Sequence, residues 1–248
     1  MELGSLEKIV VVGAGHGIGF ALIKHLQTLE PQAEIIATYR DESKAAELLA
    51  DTDGLTVTQM DPCDEGQVEN LRFITDQRPG KLHLLINAVG WLHCGAWQPE
   101  KSLKKIDVVQ LMESFKVNTM VAAILGKHFL SGFRHGEHAT FACLSAKVGS
   151  IEDNKIGGWY GYRASKAALN MMLRTMAIEF QRYGCRCDLL AIHPGTTVTG
   201  LSEPFIKRTK LKLHDPADSA QNILRVIGNQ SFDPEARFLS WDGSILPW

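Results

Sequence analysis

Residues 8–19, Lys-Ile-Val-Val-Val-Gly-Ala-Gly-His-Gly-Ile-Gly, constrain the fold of this chain more than any other stretch. Lys8–Val12 is an apolar, β-branched run with no polar face, as expected of a parallel strand covered by helices on both sides. Gly13, Gly15, Gly17 and Gly19 crowd the turn that follows, and a helical pattern leads out of it from Gly17 to Leu29, stopping before Pro31. Glycines at a strand-to-helix turn let backbone amides at the helix N-terminus approach a phosphate. The spacing is Gly-x-x-x-Gly-x-Gly: Ile18 stands where a Gly-x-Gly-x-x-Gly loop has its last glycine, and no Lys-Ser/Thr of a nucleoside-triphosphate loop follows.

The alternation continues to the end of the chain. Strands are expected at Glu34–Tyr39, Leu55–Met60, Leu82–Ala88, Ala139–Ser145, Cys187–His193 and Arg237–Ser240, seven with the first. Asp64, with Gln67 three residues on, and Asp215, before Pro216, signal helix starts; the second of these helices runs to Gly228. Ile106–Leu130 and Trp159–Arg182 also carry helical spacing. Right-handed crossovers then give a doubly wound parallel sheet with helices on both faces, a single Rossmann-type α/β domain over residues 1–248. With 45% hydrophobic content, 248 residues suffice for such a core.

A formal net charge of −2 supplies no global positive field for nucleic acid or an anionic membrane, so a small molecule is the expected partner. The uncharged stretch Ile9–Ile23 is broken by glycines and shorter than the ~20 residues of a membrane helix, and neither a span nor a signal peptide is expected. Cys63, Cys94, Cys143, Cys185 and Cys187 are scattered and form no Cys-x-x-Cys. Reduced thiols in a cytoplasmic protein are expected, with neither a disulfide framework nor a metal site.

About twenty residues beyond a dinucleotide loop, the end of the second strand selects the cofactor: an acid for the ribose of NAD, an Arg for the 2′-phosphate of NADP. Here the residues are Thr38-Tyr39-Arg40, and His16 is placed to assist, so NADP(H) is favoured over NAD(H). Asp41 leaves a second possibility open, a salt bridge to Arg40 or a contact with the ribose.

Tyr162 and Lys166 stand four residues apart on one helix, so their side chains share a face. An ammonium beside a phenol lowers its pKa from roughly 10, which suits proton exchange with a carbonyl or alcohol oxygen. Gly13-x-x-x-Gly17-Ile18-Gly19, Asn87-Ala88-Val-Gly90, Asn118, Tyr162-Arg-Ala-Ser-Lys166 and Pro194-Gly195-x-x-x-Thr199 follow one another in an order that resembles the short-chain dehydrogenase/reductase family over almost the whole chain. The resemblance implies reduction of an aldehyde or ketone to an alcohol by hydride from a nicotinamide. Tyr162 is then the acid/base, Lys166 lowers its pKa and holds the nicotinamide ribose, and Asn118 joins a proton-relay water. It also implies Asp61 at the adenine, and Asn87, Ala88 and Gly90 beside the cofactor. Pro194 and Gly195 then run under the nicotinamide, with Thr197 and Thr199 at its amide or phosphates.

The family's catalytic serine, usually three residues before a glycine at the end of strand five, is displaced here. Counting back from Gly149 lands on Ala146, with Ser145 one residue earlier and Ser150 one residue after the glycine. Strand neighbours point to opposite faces, so the shift matters. Ser145 is favoured for the role, Ser150 is second, and Tyr162 acting without a serine is the third alternative. The stretches 144–151, 157–166 and 241–248 resemble the branch containing C-factor and the sniffer-type carbonyl reductases, which leaves a cofactor-binding signalling protein as the alternative function. Loops at about 91–103 and 200–213 are expected to form the substrate mouth, with Trp91, Leu92, Trp97, Leu201 and Phe205 making it apolar. Lys207–Lys212 reads as a basic patch on an amphipathic lid helix, with Ile206, Leu211 and Leu213 inward. A homodimer or homotetramer is implied by the resemblance.

Overall fold

All five residues of β1 (Lys8–Val12) are buried, as a strand with no polar face requires. Its side chains alternate between two cores. Val10 and Val12 join Phe129, Phe141 and Phe180 on one face of the sheet, and Ile9 and Val11 join Leu22, Leu26 and Ile223 on the other. The computed structural model describes residues 3–207 and 211–248.

Seven parallel strands form one sheet in the order β3-β2-β1-β4-β5-β6-β9. They are β1, β2 (Glu34–Tyr39), β3 (Leu55–Gln59), β4 (Leu82–Asn87), β5 (Ala139–Leu144), β6 (Cys187–His193) and β9 (Arg237–Ser240). The expected strands are all present; Met60, Ala88 and Ser145 lie just past the observed ends. The order reverses between β1 and β4, which opens a crevice at the carboxyl ends of the strands.

Helices α1 (Gly17–Leu29) and α8 (Pro216–Gly228) cover one face, packed through Leu22, Leu26, Ile223 and Leu224. The opposite face is covered by α3 (Glu65–Asp76), α5 (Val121–Phe129) and α6 (Tyr160–Arg182), with α4 (Val108–Phe115) packed against α6. Asp64 and Asp215 cap α3 and α8 by accepting from Gln67 N and Asp218 N, as their spacing requires.

The structure departs from the sequence expectation in four places. Ile106–Leu130 is not one regular helix: a wide π turn, Lys116–Met120, separates α4 from α5, and such turns interrupt the usual hydrogen-bond ladder. The short helix α2 (Ala46–Ala50) and the two-residue pair β7 (Thr196–Thr197) and β8 (Leu213–His214) carry too little periodicity to be read in advance. The lid contains a single helical turn, α7 (Glu203–Ile206), and Leu211 and Leu213 are exposed rather than inward. Part of the basic patch, residues 208–210, lies outside the described residues. By length and composition Val108–Phe133 could cross a membrane, yet Val121, Ala122, Leu125, Phe129 and Phe133 are buried in the core beneath the sheet.

Phe129 is fully buried in that core. Phe129→Ala is expected to cost about 3–5 kcal/mol of stability, measured as a lowered urea midpoint with an unchanged slope.

Candidate active site

The crevice begins at the glycine turn. Gly13 adopts φ 85°, and its amide donates to Thr38 Oγ1 at 3.1 Å while Ala14 N donates to Thr38 O at 2.7 Å, tying the turn to β2. A Cβ at Gly19 would run into Gly13's carbonyl oxygen, so the turn closes directly onto the first turn of α1. Ile18, in the place of a third motif glycine, packs against the core instead. No side chain caps α1 and its first turn carries no acid, so its N-terminus presents amides and the positive end of the helix dipole to the crevice. Thr199 lies against Gly17, where a Cβ would meet its methyl at 3.4 Å.

At the end of β2, Arg40 is exposed and makes no salt bridge among the described residues. Asp41 is engaged elsewhere: its carboxylate accepts from Ser43 N at 3.1 Å and Ser43 Oγ at 2.6 Å, with Lys44 Nζ at 3.8 Å. The hydrogen bonds from Ser43 hold its carboxyl below the usual range. His16 is pushed below the ordinary imidazole value by burial, then by the nearby Lys44 and Arg40 cations against the pull of Asp41. The three basic groups therefore share one mouth. Lys44 was not singled out from the sequence.

Asp61 shapes the turn after β3. Its Oδ1 accepts from Cys63 N at 2.9 Å, and its amide donates to Gln67 Oε1 at 2.8 Å. Asn87, buried between Val12 and Cys143 in the sheet register, accepts from Val89 N at 3.1 Å, and Ala88 N continues the ladder to Val12 O. Gly90 marks the centre of the site: a Cβ there would stand 3.9 Å from Asn118 Oδ1, Lys166 Nζ and Leu201 Cδ2.

Asn118 lies within the π turn and its side chain is fully committed. Oδ1 accepts from Trp91 N at 2.8 Å, while Nδ2 donates to Trp91 O at 2.8 Å and to Ser165 Oγ at 3.0 Å. This amide clamps the base of the 91–103 loop to α6. Lys166, 2% exposed, donates to Leu144 O at 2.8 Å and lies 5.9 Å from the Tyr162 ring centre. Burial lowers the Lys166 ammonium to about 8 and pushes the Tyr162 phenol up to about 12. In this protein desolvation outweighs the lowering expected for the phenol from the ammonium. The phenol therefore keeps its proton and is set as an acid.

Both serine hydroxyls are engaged by other partners. Ser145 Oγ donates to Asn170 Oδ1 at 2.7 Å, eight residues and ~12 Å along α6 from Tyr162. Ser150 Oγ reaches Trp248 O at 3.3 Å and accepts from Asp153 N at 3.1 Å. Ala146 occupies the position between, with extended backbone. The Thr197 hydroxyl is paired with Ser219 Oγ at 2.7 Å. Gly195, at φ 82°, passes over His214 and Trp241 where a Cβ would meet both, and Pro194 leads into that turn from the end of β6. Burial holds His193, just before them, down at about 4, so its ring is neutral.

An aromatic wall completes the mouth. Trp159 lies edge-on to Tyr162 with ring centres 6.2 Å apart and to Phe205 at 5.2 Å, and Phe205 meets His93 at 5.4 Å. Trp159 was missed in the sequence because its role depends on a left-handed backbone, for which the preceding Gly157-Gly158 was the available signal.

Residues 7–210 match the protein family described as short chain dehydrogenase. C-signal of Myxococcus xanthus is 32% identical over 176 residues, covering 71% of this chain and 98% of the relative. The crystal structure of an NADPH-bound carbonyl reductase from chicken fatty liver superposes with a TM-score of 0.86 at 25% identity, over 99% of this chain and 96% of that one. The carbonyl reductase Sniffer of D. melanogaster gives a TM-score of 0.85 at 22% identity, over 98% and 100%.

Proposed function

This chain belongs to the short-chain dehydrogenase/reductase family and is of the C-factor and sniffer type, and from that premise we propose that it is an NADPH-dependent reductase of apolar, preferably aromatic, aldehydes or ketones. The observation that carries the reading is the half-buried Tyr162 one helical turn from the buried Lys166, whose Nζ lies 5.9 Å from the phenol ring, in the same crevice as the basic mouth formed by His16, Arg40 and Lys44.

The residues present fit a phosphorylated dinucleotide: an uncapped helix N-terminus after a glycine cradle, an exposed Arg40 guanidinium at the end of β2 with the Lys44 ammonium nearby, and an Asp41 already occupied by Ser43 and Lys44. The α1 amides would hold the pyrophosphate, with Thr199 beside Gly17; Arg40, His16 and Lys44 would hold the 2′-phosphate. Asp61 would lie at the adenine, and Asn87, Ala88, Gly90, Pro194, Gly195 and Thr197 would line the path to the nicotinamide. When bound, the cofactor supplies the hydride that reduces the carbonyl carbon. Tyr162 gives its proton to the carbonyl oxygen, which stays bound to the reduced carbon as the alcohol hydroxyl, and Lys166 stabilises the phenolate that remains until solvent reprotonates it. Asn118 keeps the loop and α6 in register for this transfer. Tyr162 serves as the sole hydroxyl donor at the substrate oxygen, and Ser145 contributes by fixing α6 through Asn170. Trp91, Leu92, Trp97, Trp159, Leu201 and Phe205, from the loops near 91–103 and 200–213 and the entry to α6, would surround an apolar substrate.

Residues 1–248 are taken as one domain. Exposed Val108, Val109 and Met112 on α4 with Met171 and Ile178 on α6 support a homodimer or homotetramer, and five free cysteines support a cytoplasmic location. The likeness to C-signal favours a second reading, a cofactor-binding signalling protein with incidental turnover.

Tyr162→Phe separates the two. A reductase should lose at least about 10³-fold in kcat against a panel of aldehydes, ketones and quinones while its NADPH Kd stays unchanged, and Ser145→Ala should keep most of the rate. Tight NADPH binding without turnover by the wild type would favour signalling. Arg40→Ala should weaken NADPH about tenfold or more and leave NADH nearly unaffected, measured by fluorescence titration. Lys166 is charged below about pH 8, so kcat/KM for NADPH should fall as the pH rises through that value, a limb that Tyr162, still protonated there, does not contribute.

A further inference from the structure

Helix α6 starts without a cap of its own. Trp159 precedes it at φ 52°, the only non-glycine residue with positive φ among the described residues, and no side-chain cap is made there. A left-handed tryptophan is strained, and the first amides of a helix need acceptors. Glu100 meets both needs from a distant part of the chain. Its carbonyl oxygen accepts from Trp159 N at 2.6 Å, and its Oε2 accepts from Gly161 N at 3.1 Å across a sequence separation of 61 residues. Glu100 is 3% exposed, and its carboxylate faces the positive end of the helix dipole. Gln110 of α4 donates from Nε2 to Gln98 O at 2.8 Å and reaches Glu100 Oε1 at 3.4 Å, holding the same loop from the other side. Gly161 is matched to the carboxylate: a Cβ there would stand 3.0 Å from Glu100 Oε1 and 3.0 Å from Leu111 Cδ2.

We propose that Glu100 is a positioning residue, a cap contributed by the 91–103 loop to the helix that carries Tyr162, so that seating the loop and aiming the phenol are one event. The capped amide belongs to the residue before Tyr162, and Trp159, whose backbone Glu100 also holds, lies against both Tyr162 and Phe205. The catalytic consequence rests on the reductase reading; the cap itself does not.

The test compares Glu100→Ala and Glu100→Gln in the full chain, with NADPH as cofactor and 4-nitrobenzaldehyde as the carbonyl probe. Glu100→Ala should lower kcat by about tenfold or more. It should leave the NADPH Kd within about twofold, because the α1 and β2 mouth is untouched. Hydrogen exchange at the amides of residues 160–163 should accelerate in the same variant. Glu100→Gln keeps an acceptor oxygen at the same reach and should restore both kcat and slow exchange to within about threefold of wild type. The proposal is overturned by a wild-type kcat in Glu100→Ala, by a Gln variant as impaired as the Ala variant, or by NADPH affinity and Tm falling in step with kcat. A wild type that turns over no carbonyl would remove the reductase reading, while the exchange rates would still decide the cap.

Discussion

The seating of α6 on the end of β5 and on the π turn is the constraint on which the site depends. Buried polar contacts make it, among them Lys166 Nζ to Leu144 O, Ser145 Oγ to Asn170 Oδ1, Asn118 Nδ2 to Ser165 Oγ and Thr119 Oγ1 to Ser165 O. Apolar packing alone would let a helix of 23 residues slide by a fraction of a turn at little cost, since Leu169, Leu173, Met176 and Phe180 present a continuous greasy stripe. Buried hydrogen bonds do not slide, because leaving any one unmade costs about 1–3 kcal/mol. They set the height of Tyr162 above the sheet edge, while the hydrophobic face supplies most of the adhesion.

Charge is partitioned along the crevice by the same architecture. One end is wet and basic, with the α1 amides and Arg40 open to an anion and with His16 and the Asp41-paired Lys44 beside them. The other is drier, with Lys166 buried and Tyr162 half-buried, and desolvation works against the Lys166 cation and against ionisation of Tyr162 alike. A phenol at about 12 is a reluctant acid in isolation. It becomes effective when negative charge develops on an oxygen within reach, since a low-dielectric site strengthens the attraction of both the proton and the ammonium for that oxygen.

Much of this was legible in the sequence, for identifiable reasons. Parallel strands buried on both faces are continuous apolar runs, so all seven strands were found to within a residue, and α1 lay as read between its glycine turn and Pro31. Motif residues close together in the chain, such as Gly13 to Gly19 or Tyr162 and Lys166, announce themselves because local spacing fixes their geometry. The rest depends on contacts across long separations. Ser145 and Ala146 differ by one residue in the chain and by a whole face of the strand in space, so only the observed partner, Asn170, places the hydroxyl. Glu100 carries no local signal, and a π turn at Lys116–Met120 leaves the helical periodicity of the sequence almost unchanged.

That π turn links the clamp to the chemistry. Widening the helix by one residue swings Asn118 toward the base of the 91–103 loop, where its amide binds both backbone groups of Trp91 while still reaching Ser165. An ordinary α-helical turn would carry the following residues about 100° further around the axis for the same number of residues, given 3.6 per turn. Either Asn118 or the apolar face of α5, with Leu125 and Phe129, would then be turned from its present partner. The interruption lets one continuous rod satisfy two constraints that a regular helix cannot: a polar side chain directed at the crevice and an apolar stripe directed at the sheet.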